Sequence, residues 1–330
     1  MRVVGVHEMP LRAVNVGLFF DDSQWDAQDS RPKACSLAYA APVTSAAKGR
    51  AESDPDDVTE PGAAPRPQSL LLSFFGIHVL GRGIAVSSAS IIDILGRVGV
   101  GEDAVRSTLT RMVGRDLLDR QRVGRKAYFG LTERSDAVLR DGQQRVWQAG
   151  VVNQDWDGTW TVVGFSLPDA WRSERHDLRS RLLWGGLGPL QSGMWAAPGR
   201  VDVAALVAGL GLEAHLKVFQ GCAVAPTEAG AMVATAFDIP AIARRHEAFL
   251  VRWGEAAAVG DDQLAGQLLL HTDWLDLVRR DPHLPVEYLP EDWPGVRAER
   301  VFRRLALRYE EPARLRAAEI LDAVAAPGGA

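Results

Sequence analysis

At 330 residues, with 47% hydrophobic and 24% charged side chains, the chain has the composition of an ordinary globular protein and the length for two or three domains. Its net charge of −5 gives no global sign of a nucleic-acid binder, but the charge is uneven: −3 over residues 1–66, +4 over 67–150 and −6 over 151–330. Two distant cysteines, Cys35 and Cys222, rule out a disulfide framework or a cysteine zinc site and fit a reducing, cytoplasmic setting.

No apolar run reaches the roughly 18 residues of a membrane span. LRAVNVGLFF, residues 11–20, is too short for a span and has no basic lead-in, so it is not expected to be a signal peptide. Residues 1–66 show no sustained period. ESDPDDVTEPGAAPRPQ, rich in Pro, Gly and acidic residues, predicts a disordered N-terminal extension.

Order is expected from Ser69. SLLLSFFGIHVL places Leu70, Leu71, Phe74, Phe75 and Val79 on a helix buried along one side. GRGIAV reads as a loop, and Ser87-Ser88 as the N-cap of SASIIDILGRVG. Gly99-Val100-Gly101 turns into a third helix, EDAVRSTLTRMVGRDLLD, in which Val100 and Val105 flank a Gly101 cap at hydrophobic-staple spacing and Val105, Leu109, Met112 and Val113 share one stripe. Its other face carries Arg106, Ser107, Thr110 and Arg111. Two alternating runs follow, LLDRQRV and KAYFGLT, joined by Gly124-Arg125, a pair suited to a type II′ hairpin. Arg120, Arg122, Arg125 and Lys126 crowd the hairpin tip. A polar basic helix followed by a basic hairpin predicts a winged helix-turn-helix over residues 67–150, closed by a helix at about 133–148.

The next block reads strand (DGTWTVVGFSLP), helix (DAWRSERHDLRSRLLW), two short strands (LGPLQSGMWAAP), helix (VDVAALVAGLGL) and strand (HLKVFQGCAV). This βαββαβ order predicts a ferredoxin-like middle domain at about 151–238. From Pro240 the pattern is helical to the end, giving a helical C-terminal domain over 239–330 whose last helix is expected at about Val296–Val324. The pattern is interrupted by DPHLPVEYLPEDWPG, whose four prolines exclude a helix. That segment reads either as a rigid strap or as an element that changes dimer geometry when an effector binds. The expected fold class is therefore α+β multidomain.

Three stretches make the chain resemble the PaaX family of bacterial repressors of phenylacetate catabolism. They are SLLLSFFG with AVRSTLTRMVGRDLLDRQRVGRKAYFGLT; WDGTWTVVGFSLPDAWRSERHDLRSRLLWGGLGPLQSGMWAAP; and DPHLPVEYLPEDWPG. The resemblance covers about 69–295, and the 66-residue extension departs from the family pattern. It implies a homodimeric transcriptional repressor, not an enzyme, that binds double-stranded DNA. It also implies release by an aryl-acetyl-CoA thioester such as phenylacetyl-CoA.

On the DNA reading, Arg106, Ser107, Thr110 and Arg111 would meet base edges in the major groove, while Arg122, Arg125 and Lys126 would meet phosphates or a minor groove. The residues alone also allow a winged helix that serves as a protein adaptor or structural dimer. For the effector, Arg172, Arg175 and Arg179 recur along one helix and could hold CoA phosphates, although Glu174 and Asp177 interleave them as in a solvated salt-bridged face. Trp156, Trp160, Trp184 and Trp195 could line an acyl pocket or simply be core. A metal-dependent nuclease is the remote third reading. Phe165-Ser166 stands where its acid would be expected, and the seven histidines form no metal-ligand spacing, so no metal or catalytic residue is assigned.

Overall fold

Pro67 has the fixed φ of a first helical residue and no N–H to lose there, and it opens α1 (Pro67–His78). Leu70, Leu71, Phe74 and Phe75 are fully buried on this helix. The computed structural model describes residues 65–148, 151–254 and 262–326, so all but the last two residues of the expected 1–66 extension lie outside it. After α1 comes β1 (Ile84–Ser87), where a loop was expected. Four residues are too few to show a period, and the partners that make this segment a strand lie far along the chain.

Ser87 then caps α2 (Ser88–Gly96), its hydroxyl accepting from the Ser90 N–H at 3.2 Å. Gly99, with φ 83°, turns the chain toward α3 (Glu102–Gly114). Val100 packs on the same core as Val105, the staple that the spacing predicted. The hairpin strands are β2 (Leu118–Val123) and β3 (Lys126–Leu131), paired in antiparallel register from Leu118↔Leu131 to Val123↔Lys126. Gly124 supplies the positive φ, 62°, needed at the first corner of the turn. The α4 helix (Glu133–Gln148) follows.

The middle block runs β4 (Trp160–Phe165), α5 (Arg172–Trp184), β5 (Gly188–Gln191), β6 (Met194–Pro198), α6 (Val203–Val207) and β7 (Leu216–Gly221). These strands form one antiparallel sheet in the order β5-β6-β4-β7. The α6 helix covers only five of the twelve residues expected to be helical. Alternation along β4 splits the sheet into two faces. Val163 and Phe165 join Leu178 and Leu182 of α5 on one face, whereas Trp160 and Val162 face the chain's C-terminal half on the other.

The last third contains α7 (Ala229–Ala236), which the sequence did not reveal, then α8 (Ile239–Trp253), α9 (Gln263–Arg279) and α10 (Pro294–Ile320). Between α9 and α10 the proline-rich segment forms a single 3-10 turn at Val286–Tyr288 and is otherwise irregular. The final helix was expected to run to Val324. It stops at Ile320, and β8 (Ala323–Ala325) follows. This strand pairs with β1, so the N-terminal sheet has the order β2-β3-β1-β8 and closes on the end of the chain.

One core consequently joins the first and last described helices. Leu264 and Leu268 of α9 and Ala313 and Ala317 of α10 pack in the cluster that holds Val105, Leu109 and Met112 of α3. A second core lies between α8, α9 and α10, where Trp274 stacks on Phe302 at 4.6 Å and 7°. Pro312 sits where α10 passes from one core to the other, and removes a ladder hydrogen bond there.

Candidate nucleic-acid interface

The two faces of α3 separate as its periodicity requires. Val105, Thr108, Leu109 and Met112 are buried, and Arg106, Ser107, Thr110 and Arg111 are exposed. Arg106 is clamped to Glu102, one turn back: its Nε and Nη2 donate to the same Oε1 at 2.8 and 2.6 Å. Ser107 and Thr110 donate to the carbonyls of Ala104 and Arg106 at 3.1 and 2.9 Å. Each hydroxyl oxygen can then act as an acceptor toward a base. Arg111 Nη2 donates to Thr108 at 3.1 Å. The helix thus presents two guanidinium groups and two hydroxyls on one solvent face, the set suited to base edges in a major groove.

The hairpin lies directly after this helix and is exposed from Arg122 to Lys126. Arg122 and Arg125 stand in solvent at the tip. Lys126 is engaged: its Nζ donates to Asp322 Oδ2 at 2.7 Å, and Tyr128 Oη donates to the same carboxylate at 3.2 and 3.3 Å. The Lys126 hydrogen bond holds the Asp322 carboxyl below the usual carboxylate range. Farther from the tip, Gln121 Nε2 donates to the Ala325 carbonyl at 2.9 Å. The turn before α3 is anchored as well, through Arg97 Nη1 and Asp262 of the segment entering α9, 2.8 Å apart.

The effector candidates do not converge. Trp160 is buried on the sheet face toward the C-terminal half, whereas Trp195 is buried on the opposite face, with α5. Trp156 is half-buried; its Nε1 donates to the Thr159 carbonyl at 2.7 Å, and its ring meets Trp160 and Tyr288 edge-on at 5.5 and 5.6 Å. Trp184 lies under the Arg279 guanidinium at 4.7 Å. On α5, Arg175 donates to the Leu167 carbonyl at 2.9 Å and fixes the entry to its own helix, while Arg172 and Arg179 are exposed. The sheet therefore separates the arginine row from the Trp156–Trp160 pair. Two open clefts occur elsewhere. One of about 570 Å³ lies between α6 and β7, and one of about 170 Å³ beside Gly186, Asp281 and His283; neither is lined by any of these seven residues.

The proline-rich segment is tied down through its first residue. Asp281 Oδ2 lies 2.7 Å from His246 Nε2, both side chains buried, and its Oδ1 accepts from the His283 N–H at 2.8 Å. Backbone bonds between Asn153 and both Leu284 and Val286 join the segment to the start of the middle block. Trp293 packs beside His246 with ring centroids 5.6 Å apart.

Three family models match along the chain: PaaX-like protein over 66–135, PaaX protein central Cas2-like domain over 153–233, and PaaX-like protein C-terminal domain over 237–319. The chain belongs to the PaaX family. It is 26% identical over 256 residues to the transcriptional repressor PaaX of Escherichia coli strain K12, spanning 72% of this chain and 80% of that protein. Among solved structures it is similar to the uncharacterized protein Rv0674 of Mycobacterium tuberculosis. That match has a TM-score of 0.52 at 20% identity and covers 78% of this chain and 100% of the other, a likeness of fold.

Within this PaaX-family chain, sequence reasoning missed the residues that the last strand brings to the hairpin. Asp322 lies 196 positions from Lys126 and carries no local signal. Only its place just beyond a long amphipathic helix, ahead of the short apolar run AVA, hinted that the chain end was structured.

Proposed function

We propose that this PaaX-family chain is a DNA-binding transcriptional repressor that reads a two-fold operator as a homodimer in the cytoplasm. In this reading α2 and α3 are the helix-turn-helix, β2 and β3 the wing, and residues 160–221 a ferredoxin-like unit. The observation that carries it is the exposed polar face of α3, with Arg106, Ser107, Thr110 and Arg111, followed at once by a hairpin whose exposed tip bears Arg122, Arg125 and Lys126. Helix and tip differ in role: the first chooses sequence, and the second supplies phosphate affinity and its salt dependence. The repressor named among its relatives supports the direction of regulation.

An aryl-acetyl-CoA thioester, phenylacetyl-CoA foremost, is the proposed releasing ligand. Arg172 and Arg179 remain solvent-facing cations for its phosphates, while Trp156 and Tyr288, on the other face of the sheet, are not assigned to the same ligand. By linkage, a ligand that weakens DNA binding must itself bind the DNA-bound form less tightly, by the same factor. No catalytic role or metal is proposed. DNase footprinting upstream of the protein's own gene, with and without a panel of acyl-CoA thioesters, tests the reading. A protected two-fold site that opens on adding one thioester is the expected result; no protection at low salt refutes it.

A further inference from the structure

We infer that the last strand of the chain is an internal competitor for the DNA-facing hairpin, Asp322 occupying the Lys126 ammonium that a DNA phosphate would otherwise take. The inference rests on the DNA-binding reading above and adds a regulating contact to it.

The backbone around Asp322 is fixed without help from its side chain. The β8 strand pairs with β1 through Ile84↔Ala325, Ala85↔Val324 and Val86↔Ala323. The Ser87 N–H donates to the Asp322 carbonyl at 2.8 Å, and the Asp322 N–H donates to Ser90 Oγ at 3.0 Å. Ser90 Oγ donates in turn to the Ile320 carbonyl at 2.8 Å, and the Ala326 N–H to the Gly83 carbonyl at 2.9 Å. The strand therefore delivers one carboxylate to a set position beside the hairpin.

What it meets there is the cation nearest the hairpin turn on β3. A carboxylate and a phosphate oxygen are the same kind of partner for an ammonium, an anionic acceptor at hydrogen-bond distance, so the two exclude each other at Lys126 Nζ. The pair is accessible enough for exchange, with the Lys126 side chain 65% exposed and that of Asp322 40% exposed. Once displaced, the carboxylate would stay close to the incoming phosphates and repel them. Tyr128 keeps it there, since its hydroxyl bonds both carboxylate oxygens from a buried position on β3. Arg122 and Arg125 have no comparable carboxylate on the last strand, so the contact tunes one phosphate position rather than closing the interface.

The test is Asp322→Asn in the full chain, which keeps the shape and the Tyr128 acceptor and removes the charge. Binding to a duplex carrying the footprinted site is measured by fluorescence anisotropy over a salt series. Affinity should rise about two- to tenfold at low salt, the log–log salt slope should steepen by about one, and the gain should shrink as salt screens the site. Lys126→Gln in both backgrounds should abolish the gain. Amide exchange along 323–325 should be unchanged, showing that the strand stays docked. Equal or weaker binding by Asp322→Asn overturns the competition, as does an equal gain in the Lys126→Gln background. Absence of duplex binding by both the parent chain and Asp322→Asn at low salt overturns the DNA reading itself, and the competition falls with it.

Discussion

Arg106→Ala separates base reading from general attraction to DNA. In the free protein the Arg106 guanidinium bonds Glu102, with the two side chains 56% and 57% exposed. Such an exposed pair one turn apart contributes about 0.3–0.5 kcal/mol, which docking has to give up. A guanidinium set against guanine O6 and N7 discriminates by about 1–3 kcal/mol, several times as much, so exchange of Glu102 for a base is favourable. Arg106→Ala should therefore weaken operator binding by roughly fivefold to 150-fold. On a scrambled duplex at the same salt the variant should lose only the share of one phosphate-attracted charge. Glu102→Gln provides the opposite sign: it frees the guanidinium and removes a carboxylate from the DNA side, so operator affinity should rise about twofold. Anisotropy titrations on operator and scrambled duplexes give all four values. Unchanged operator affinity for Arg106→Ala, or an equal loss on both duplexes, refutes the assignment of this residue to base contact.

Arg122→Ala and Arg125→Ala should weaken binding to all duplexes alike and each lower the salt slope by about one, as read from the same titrations at several salt concentrations. Arg179→Ala should raise the phenylacetyl-CoA concentration needed to release the operator by roughly tenfold or more, the loss of one charge-assisted phosphate bond; full sensitivity would remove Arg179 from the effector site. His78 is buried in the N-terminal core, where desolvation, and then Arg82, lower its pKa from 6.5 to about 3. Below pH 6.5 the unfolded chain takes up a proton that the folded chain refuses. Stability should then fall by about 1.4 kcal/mol per pH unit until the folded pKa is reached. His271, lowered by burial to about 4, adds a second such loss. Urea midpoints at pH 7, 6 and 5 should show the decline, and His78→Leu should flatten it. Trp274→Ala, which breaks the stack on Phe302 and the edge contact with Phe249, should cost about 3–5 kcal/mol by urea unfolding.

How far the sequence could be read depended on how local the signal was. The α3 stripe, the Gly101 cap and the Gly124 turn are short-range devices, and each lies where periodicity and turn chemistry put it. The βαββαβ order of the middle block was legible for the same reason, because each of its longer elements carries its own period. The short elements were not. The strand β1 has four residues and looks like a loop until β3 and β8 flank it. The strand β8 has three, and nothing in Ala323–Ala325 announces a partner some 240 residues away. The candidate base-reading face could be listed from α3 alone, since one helix determines it. The effector candidates could not, because facing across a sheet is a property of tertiary packing: Trp160 and Trp195 look equivalent in sequence and point to opposite sides of one sheet.

The same long-range packing bears on how release from DNA could work. The α3 helix has no private core, since its buried Val105, Leu109 and Met112 share one with Leu264, Leu268, Ala313 and Ala317. Close-packed interiors have little free volume, so displacement of α10 must be answered by its neighbours there, α3 among them. The other end of α10 lies in the second core against Trp274 and Phe249, and Val151 joins that core from the edge of the middle block. On the proposed function, a ligand that prefers one arrangement of the middle block over another would therefore have two physical routes to α3 and the hairpin. One runs through α10 to the buried side of α3, and the other through β8 and Asp322 to Lys126. They are separable by experiment. If β8 carries the release, Asp322→Asn and the ligand should be non-additive in their effect on operator affinity. If α10 carries it, the two should add, and Ala313→Leu, which overpacks the shared core next to α3, should change the ligand response while leaving the Asp322→Asn gain intact.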